Sequence, residues 1–254
     1  MWGIIPAAGS GSRIQPLAFS KELLPVGSQV SSKGLRPRAV SEYLIERMVA
    51  AGVDRICFVI SSTKSDIMRY YGYGSENLTF CYTVQPKPSG LCDAVFRPLP
   101  FIGDDENVVI GLPDTIWFPE NALCDLPDGT CSLLLFPVDT PEFYDAVKLD
   151  GNGEVNEIFV KQKQNESKLI WGAIKMTGRV MRQLYALWCR PENNDEYIGT
   201  LINKLIASGE TVRGIRAGSY YVDVGTVNGY HKAMKLLNVK SSTSNSLQEQ
   251  IHEC

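Results

Sequence analysis

Histidine is nearly absent: the 254 residues contain two, His231 and His252. So few leave little room for a Ser-His-Asp triad or a Cys/His metal centre. The seven cysteines, Cys57, Cys81, Cys92, Cys124, Cys131, Cys189 and Cys254, form no CxxC pattern and lie mostly in apolar runs. An odd, scattered set reads as reduced core packing, not as a disulfide framework or a zinc site. Long apolar runs are missing too; none approaches the ~18 residues that cross a bilayer. No basic segment precedes the short N-terminal apolar run, so the pattern of a signal peptide is lacking. The formal net charge of −3 gives no footprint for nucleic acid. The expectation is a cytoplasmic chain with neither nucleic acid nor membrane as partner.

What is present is material for a large core. Hydrophobic residues make up 44% of the chain and charged residues 21%, within reach of one large α/β unit. The first twenty-seven residues, MWGIIPAAGSGSRIQPLAFSKELLPVG, organise the rest. The apolar run Trp2 to Ala8 reads as a buried strand, and Gly9-Ser10-Gly11-Ser12 as a turn that follows it. Glycines let the main chain come close to an anion, and successive N–H groups in a turn make a concavity for one. Arg13 and Lys21 supply positive charge nearby. Taken alone, the stretch is equally a strand–turn–helix connection with two surface cations.

Further along, Ser28 to Arg38 is a polar, Gly-containing piece. Ser41 to Gly52 reads as a helix with Ser41 as N-cap and Gly52 as stop. Asp54 to Ile60 is a buried strand, and a helix running through Tyr71 follows Ser61-Ser62-Thr63. Leu78 to Val84 is a strand ending in the loop Gln85 to Leu91, with a helical piece from Cys92 to Arg97. Asn107 to Gly111 is a strand running into Leu112-Pro113-Asp114. Alternating strands and helices predict a mostly parallel sheet with helices on both faces. Ligands bind beyond the carboxyl ends of such strands, so the Gly/Ser loop, Gln85 and Asp114 are expected at one rim. The second half is less regular. Ser132 to Val138 and Ile170 to Met176 read as strands, and Ala146 to Val160 as a hairpin turning at Gly151-Asn152-Gly153. Val180 to Trp188 and Tyr197 to Ala207 have helical patterns. Thr211 to Ile215 is a strand, Tyr220 to Thr226 brings Asp223 to a turn, and His231 to Leu237 is a last helix. A polar tail follows from Lys240.

A phosphate-sized cradle, two cations and two separated post-strand aspartates form a kit for a nucleoside triphosphate with Mg2+. Magnesium takes oxygen ligands, commonly one or two carboxylates plus substrate phosphates. Each part has a plainer reading by itself: an aspartate after a strand usually caps a turn, and a lone lysine is usually a solvated cation.

In joint order these residues resemble the sugar-1-phosphate nucleotidyltransferases, the nucleotide-sugar pyrophosphorylases. GIIPAAGSGSRIQPL with SKELLPVG is similar to the family's G-x-G-x-R loop and the lysine that follows it. Gln85-Pro86 with Gly90-Leu91 and Ala94 resembles the base-recognition loop of the glucose-1-phosphate thymidylyl- and uridylyltransferase branch. Val222 to Thr226 resembles the D-x-G-T segment. The resemblance implies a Rossmann-like, mostly parallel sheet with a smaller antiparallel sugar-binding portion, a single domain over 1–239 and a tail over 240–254. It implies transfer of a nucleotidyl group from a triphosphate, dTTP or UTP, to a sugar 1-phosphate with release of pyrophosphate. It assigns Ala7, Ala8, Gly9, Ser10, Gly11, Ser12, Arg13, Gln85 and Gly90 to the nucleotide, Asp114 and Asp223 to Mg2+, and Arg13, Lys21 and Lys161 to catalysis. Tyr144, Asp145, Trp171, Gly172 and Glu196 are the candidates for the acceptor pocket. Trp117 is a further aromatic candidate whose plainer reading is packing. A homo-oligomer is left open.

The chain also departs from the pattern. Val160-Lys161-Gln162 replaces Glu-Lys-Pro, and Tyr144-Asp145 replaces Tyr-Gly, so the sugar pocket differs from that of glucose-type enzymes. The departures keep alive a cytidylyl- or other nucleotidyltransferase acting on a non-sugar phosphate or phosphonate. A non-catalytic nucleotide-sensing relative is a third reading.

Overall fold

The structure is a computed structural model that describes residues 1–31, 34–162 and 166–237; the expected tail over 240–254 lies outside them. In chain order the elements are β1 (Trp2–Pro6), β2 (Pro25–Ser31), β3 (Gly34–Ala39), α1 (Val40–Ala50), β4 (Arg55–Ile60), α2 (Ser65–Tyr71), β5 (Gly74–Ser75), β6 (Leu78–Val84), α3 (Gly90–Phe96), β7 (Asn107–Gly111) and β8 (Thr115–Phe118). There follow β9 (Cys131–Pro137), β10 (Ala146–Leu149), β11 (Val155–Phe159), β12 (Leu169–Thr177), α4 (Gly178–Trp188), α5 (Ile198–Ala207), β13 (Val212–Ile215) and β14 (Tyr220–Asp223). A final helix, α6, covers 227–237.

One mixed sheet carries the fold, with strand order β11-β10-β12-β7-β1-β4-β6-β5 and β9 and β13 branching from β12. Its centre is parallel: β1 pairs with β4 and β7, and β4 with β6. The second half joins mostly antiparallel, through β12 against β7 and β9. This is the α/β architecture expected, with a parallel core and an antiparallel flank.

The apolar runs of the central strands are continuous because both faces are covered. Successive side chains point to opposite faces. Ile4, Cys57, Val108 and Ile110 therefore pack with Phe96, Met181, Leu184 and Leu201 of α3, α4 and α5. Ile5, Ile56, Phe58 and Val109 pack with Leu44, Ile45, Met48 and Ile67 of α1 and α2. A third cluster joins Ile14, Val26, Val40, Ile116, Val222 and Ala233. It ties the segment after β1 to β8, β14 and α6. Burying each such aliphatic side chain contributes about 1.5–3 kcal/mol.

Two local expectations need correction, Ser41 as N-cap and the start of the last helix, and two strand features were not foreseen. Most of the polar piece over 28–38 falls in two strands, Pro25–Ser31 and Gly34–Ala39, which pair antiparallel. Polar alternation on a two-stranded ribbon exposed on one face looks like a loop in sequence. Ser41 is not the N-cap of the first helix. Ala39 holds that position and its N–H donates to Glu42, while the Ser41 hydroxyl donates to the Glu22 carbonyl. Thr115–Phe118 is a strand that its short length concealed, pairing antiparallel with β14 so that Thr115 lies opposite Asp223. The last helix also starts earlier than expected, at 227. Trp117 is fully buried, its ring 5.6 Å from that of Phe136, so its packing reading holds. Six cysteines, Cys57 to Cys189, are unpaired thiols.

Candidate active site

The parallel strands β1, β4, β6 and β7 all end on one rim, where their following loops meet. At the end of β1 the backbone turns through Gly9 to Arg13. Among the described residues, no N–H of Gly9, Ser10, Gly11, Ser12 or Arg13 donates to a protein acceptor. Five successive free donors on a turn are an anion site in waiting. Gly11 has φ +68°, and a Cβ there would come within 2.9 Å of the Lys21 stem. Glycine at 11 is thus required twice, by the backbone and by the lysine that crosses it.

The loop is held from behind. The Lys64 ammonium donates to the Ala7 carbonyl at 2.7 Å and to both Glu22 carboxylate oxygens at 2.8 Å. Glu22 is fully buried and Lys64 nearly so. Burial pushes the Glu22 carboxyl above its ordinary value, against the pull of Lys64. Asp66 accepts from the Ser20 N–H and hydroxyl at 2.7 and 2.6 Å. Together they fix both neighbours of Lys21. Sequence reading missed Glu22, Lys64 and Asp66, because a charged residue in a loop or first helical turn gives no sign of being buried.

Two carboxylates converge on the other side of the loop. Asp114 follows β7, and Asp223 ends β14, brought alongside by the β8–β14 ladder and by the Val224 N–H donating to the Asp114 carbonyl at 2.8 Å. A Cβ on Gly225 would lie 2.7 Å from Asp114 Oδ2 and 2.8 Å from Asp223 Oδ1. Both carboxylates therefore face one point that only glycine leaves clear. Among the described residues no group of three or more His, Cys, Asp or Glu side chains forms a metal cluster. Two carboxylates facing a common point suit Mg2+, which completes its shell with water and phosphate oxygens.

Both cations expected to meet phosphate are paired with these carboxylates. Lys21 Nζ lies 2.5 Å from Asp114 Oδ2, and Arg13 Nη1 lies 3.0 Å from Asp223 Oδ2. Burial pushes the Asp114 carboxyl up, but Lys21 outweighs it and holds the group below the usual carboxylate range. Burial likewise lowers Lys21, and Asp114 more than offsets it. Tyr221 lies buried beneath, and burial together with Asp223 and Asp114 raises its hydroxyl well above the ordinary value.

Two cavities flank the loop. The first, about 560 Å³, is lined by Ala8, Ser10, Lys64, Gln85 and Lys87, among others. In it Gln85 is buried, and its Nε2 donates to the Gly90 carbonyl at 3.0 Å and to Asp93 Oδ2 at 2.9 Å. The second, about 740 Å³, holds Ser12, Arg13, Asp114 and Asp223 together with Tyr144, Asp145, Lys161, Trp171 and Glu196. Phe143, Tyr197 and Tyr221 add aromatic wall.

Lys161 adopts φ +52°, the one left-handed non-glycine among the described residues. Such a conformation costs on the order of 1 kcal/mol or more and persists where neighbours enforce it. Here Asp145 Oδ1 accepts the Lys161 N–H at 3.3 Å and sits 3.9 Å from its ammonium. Burial raises the Asp145 carboxyl, opposed by Lys161.

Most of the expected residues thus gather at this rim, while Ala7, Gly9, Gly11, Lys21, Gly90 and Gly172 line neither cavity. Gly172 does not line either cavity; a Cβ there would strike Phe136 at 2.5 Å and Tyr221 at 2.9 Å. Gly90 is likewise absent from both linings and meets Gln85 through its carbonyl. Ala7 is buried behind the loop.

The family model described as "Nucleotidyl transferase" matches residues 2–239. A glucose-1-phosphate thymidylyltransferase of Neisseria meningitidis is 25% identical, covering 96% of this chain and 85% of its own. A UTP–glucose-1-phosphate uridylyltransferase of Haloferax volcanii is 25% identical, covering 89% and 91%. Among solved structures, a UTP-bound UGPase of Acinetobacter baumannii superposes with a TM-score of 0.78 at 21% identity, covering 99% of this chain and 98% of that one. At that identity the likeness is one of fold.

Proposed function

The chain belongs to the nucleotidyl transferase family, and from that premise we propose that it joins UTP or dTTP to a sugar 1-phosphate, giving a nucleoside-diphosphate sugar and pyrophosphate. The observation that carries the reading is the pairing of Lys21 with Asp114 and of Arg13 with Asp223, with Arg13, Asp114 and Asp223 on the wall of the second cavity. Cations and carboxylates that neutralise each other in the free protein are poised to exchange partners. A magnesium triphosphate gives the carboxylates a cation and the cations phosphate oxygens.

Each residue's part follows from charge and place. The free N–H groups from Gly9 to Arg13, with the Arg13 guanidinium, hold the leaving pyrophosphate. Lys21 stabilises charge at the α-phosphoryl group as the acceptor oxygen arrives. Lys161 holds the acceptor phosphate. That phosphate is ionised at neutral pH, so no general base is needed, in keeping with cavity walls that carry no histidine. Mg2+, held by Asp114 and Asp223, would neutralise phosphate charge during transfer. The rest is positioning. The aromatic rings offer faces to a sugar, and Asp145 and Glu196 offer acceptors to its hydroxyls.

One observation favours a second acceptor class. Carboxylates at Asp145 and Glu196 beside Phe143, Tyr144, Trp171 and Tyr197 also suit a phosphate that bears an ammonium group. Pyrophosphate release from UTP, dTTP, CTP, ATP and GTP, crossed with glucose 1-phosphate, amino-sugar 1-phosphates and phosphocholine, separates the readings. Release from UTP or dTTP with a sugar phosphate is expected. Release from CTP with phosphocholine alone would replace the sugar reading, and tight nucleotide binding without any release would mark a sensor.

A further inference from the structure

We propose that Asp93 sets base selection in the first cavity by locking the Gln85 amide in one orientation, an inference that rests on the nucleotidyl-transfer reading for the kind of ligand. Gln85 stands just past β6 with 4% of its surface exposed. Its two inward partners are the Gly90 carbonyl and the Asp93 carboxylate. Both only accept, so the amide nitrogen must face them and both of its N–H groups are used. Asp93 is itself held. Arg97, one turn later on α3, donates from Nη2 to Oδ1 at 2.6 Å and from Nε to Oδ2 at 3.1 Å. A guanidinium only donates, and this two-point grip leaves Asp93 no role but acceptor.

The remaining polar atom of the side chain is Oε1. Among the described residues it receives no hydrogen bond, and Gln85 lines the cavity. The cavity is therefore offered an acceptor. Uracil and thymine answer with the N3–H donor. Cytosine at N3 and adenine at N1 present lone pairs, which Oε1 repels. Asp93 does not touch the nucleotide; it is a positioning residue that makes Gln85 read ring N–H groups. Loop residues Pro86 to Pro88 line the same cavity, and the Gln85 N–H is committed to the Ile60 carbonyl at 2.8 Å. The backbone at Gln85 thus cannot substitute as donor.

Asp93→Asn keeps the shape and weakens the lock. Arg97 donates to both Asp93 oxygens, so an Asn NH2 group at either place meets a donor; the Gly90 carbonyl still holds the Gln85 NH2 group, and the Gln85 amide is left with one firm anchor instead of two. The test is calorimetric binding of UTP and CTP, with Mg2+, to the full chain, its Gln85→Ala variant and its Asp93→Asn variant. The wild type is expected to prefer UTP by ~10-fold or more, the value of one hydrogen bond gained against one left unmade. In Asp93→Asn that preference is expected to fall several-fold, with UTP binding weakened more than CTP binding. A general structural disturbance would weaken both ligands together and leave the ratio unmoved. An unmoved ratio in Asp93→Asn, or equal affinities in the wild type, overturns the proposal. UTP methylated at N3 tests it without any variant: binding should weaken by ~10-fold, and undiminished binding also overturns it. A UTP preference that depends on Asp93, with no pyrophosphate released to any acceptor, would remove the transferase reading and leave this inference standing.

Discussion

The two cavities beside the Gly9–Arg13 loop are built on different principles. The nucleotide side is locked: Gln85 is 4% exposed and its amide is doubly anchored, and the wall behind it hangs on the buried Lys64–Glu22 pair. The acceptor side is open: Phe143 is 73% exposed and the Lys161 side chain 56%. Its carboxylates and aromatics come from the antiparallel half of the sheet and from loops. The contrast teaches that reading the base and accepting the second phosphate are separable tasks on one scaffold. On the proposed function, the triphosphate would be read by groups fixed before it arrives, and the acceptor wall would be the part free to vary in chemistry.

The largest effect is expected where the locked side is anchored. Lys64→Met should destabilise the protein by about 3–5 kcal/mol, because it strands Glu22 without a partner in the core. A fall in urea midpoint at unchanged slope would register it, and an unchanged midpoint would show that the anchor is not structural. Next comes the shared boundary. Asp223→Ala should cut pyrophosphate release about 10²–10³-fold with little change in melting temperature. Gly225→Ala should lower turnover ~10²-fold by setting a methyl group between Asp114 and Asp223, 2.7 and 2.8 Å from their oxygens. Normal turnover in that variant would mean the carboxylates do not share a ligand.

The smallest effect is a dependence on pH. The Asp114 carboxyl lies below its ordinary 3.8 in the folded state because Lys21 outweighs burial. A depressed folded value means stability present above the unfolded value and lost as pH falls through the folded one. The melting temperature of the wild type should therefore fall more steeply below about pH 4 than that of Asp114→Asn, and parallel curves would dissociate Asp114 from acid sensitivity.

The locked side was also the legible one. Gly9 to Arg13 and Gln85, with Asp114 on the wall of the second cavity, follow strands of plain apolar pattern, so their order alone pointed to one rim. Asp223 was legible as a residue but not as a neighbour of Asp114, since β8, the strand that joins them, is only the four residues Thr115–Phe118. Lys64, Glu22 and Asp93 were illegible for a different reason. Their importance lies in burial and in partners 42 residues apart for the ion pair, and sequence spacing carries neither. Asp93 and Arg97 did carry a local sign, the i,i+4 spacing of an ion pair on a helix. On the acceptor side, Asp145 and Lys161 are brought together by a hairpin, and the left-handed backbone at Lys161 leaves no mark in its residue type.

Separability of the two cavities is tested most directly by a double-mutant cycle of Gln85→Ala and Asp145→Asn, read as kcat/KM for the triphosphate and for the acceptor. Gln85→Ala should raise the KM for UTP and leave that for the sugar phosphate, Asp145→Asn should do the reverse, and the double variant should show the product of the two losses, within the ~0.5 kcal/mol expected of independent sites. A coupling well beyond that, or either variant moving both KM values alike, would contradict the division of labour between the locked and the open wall.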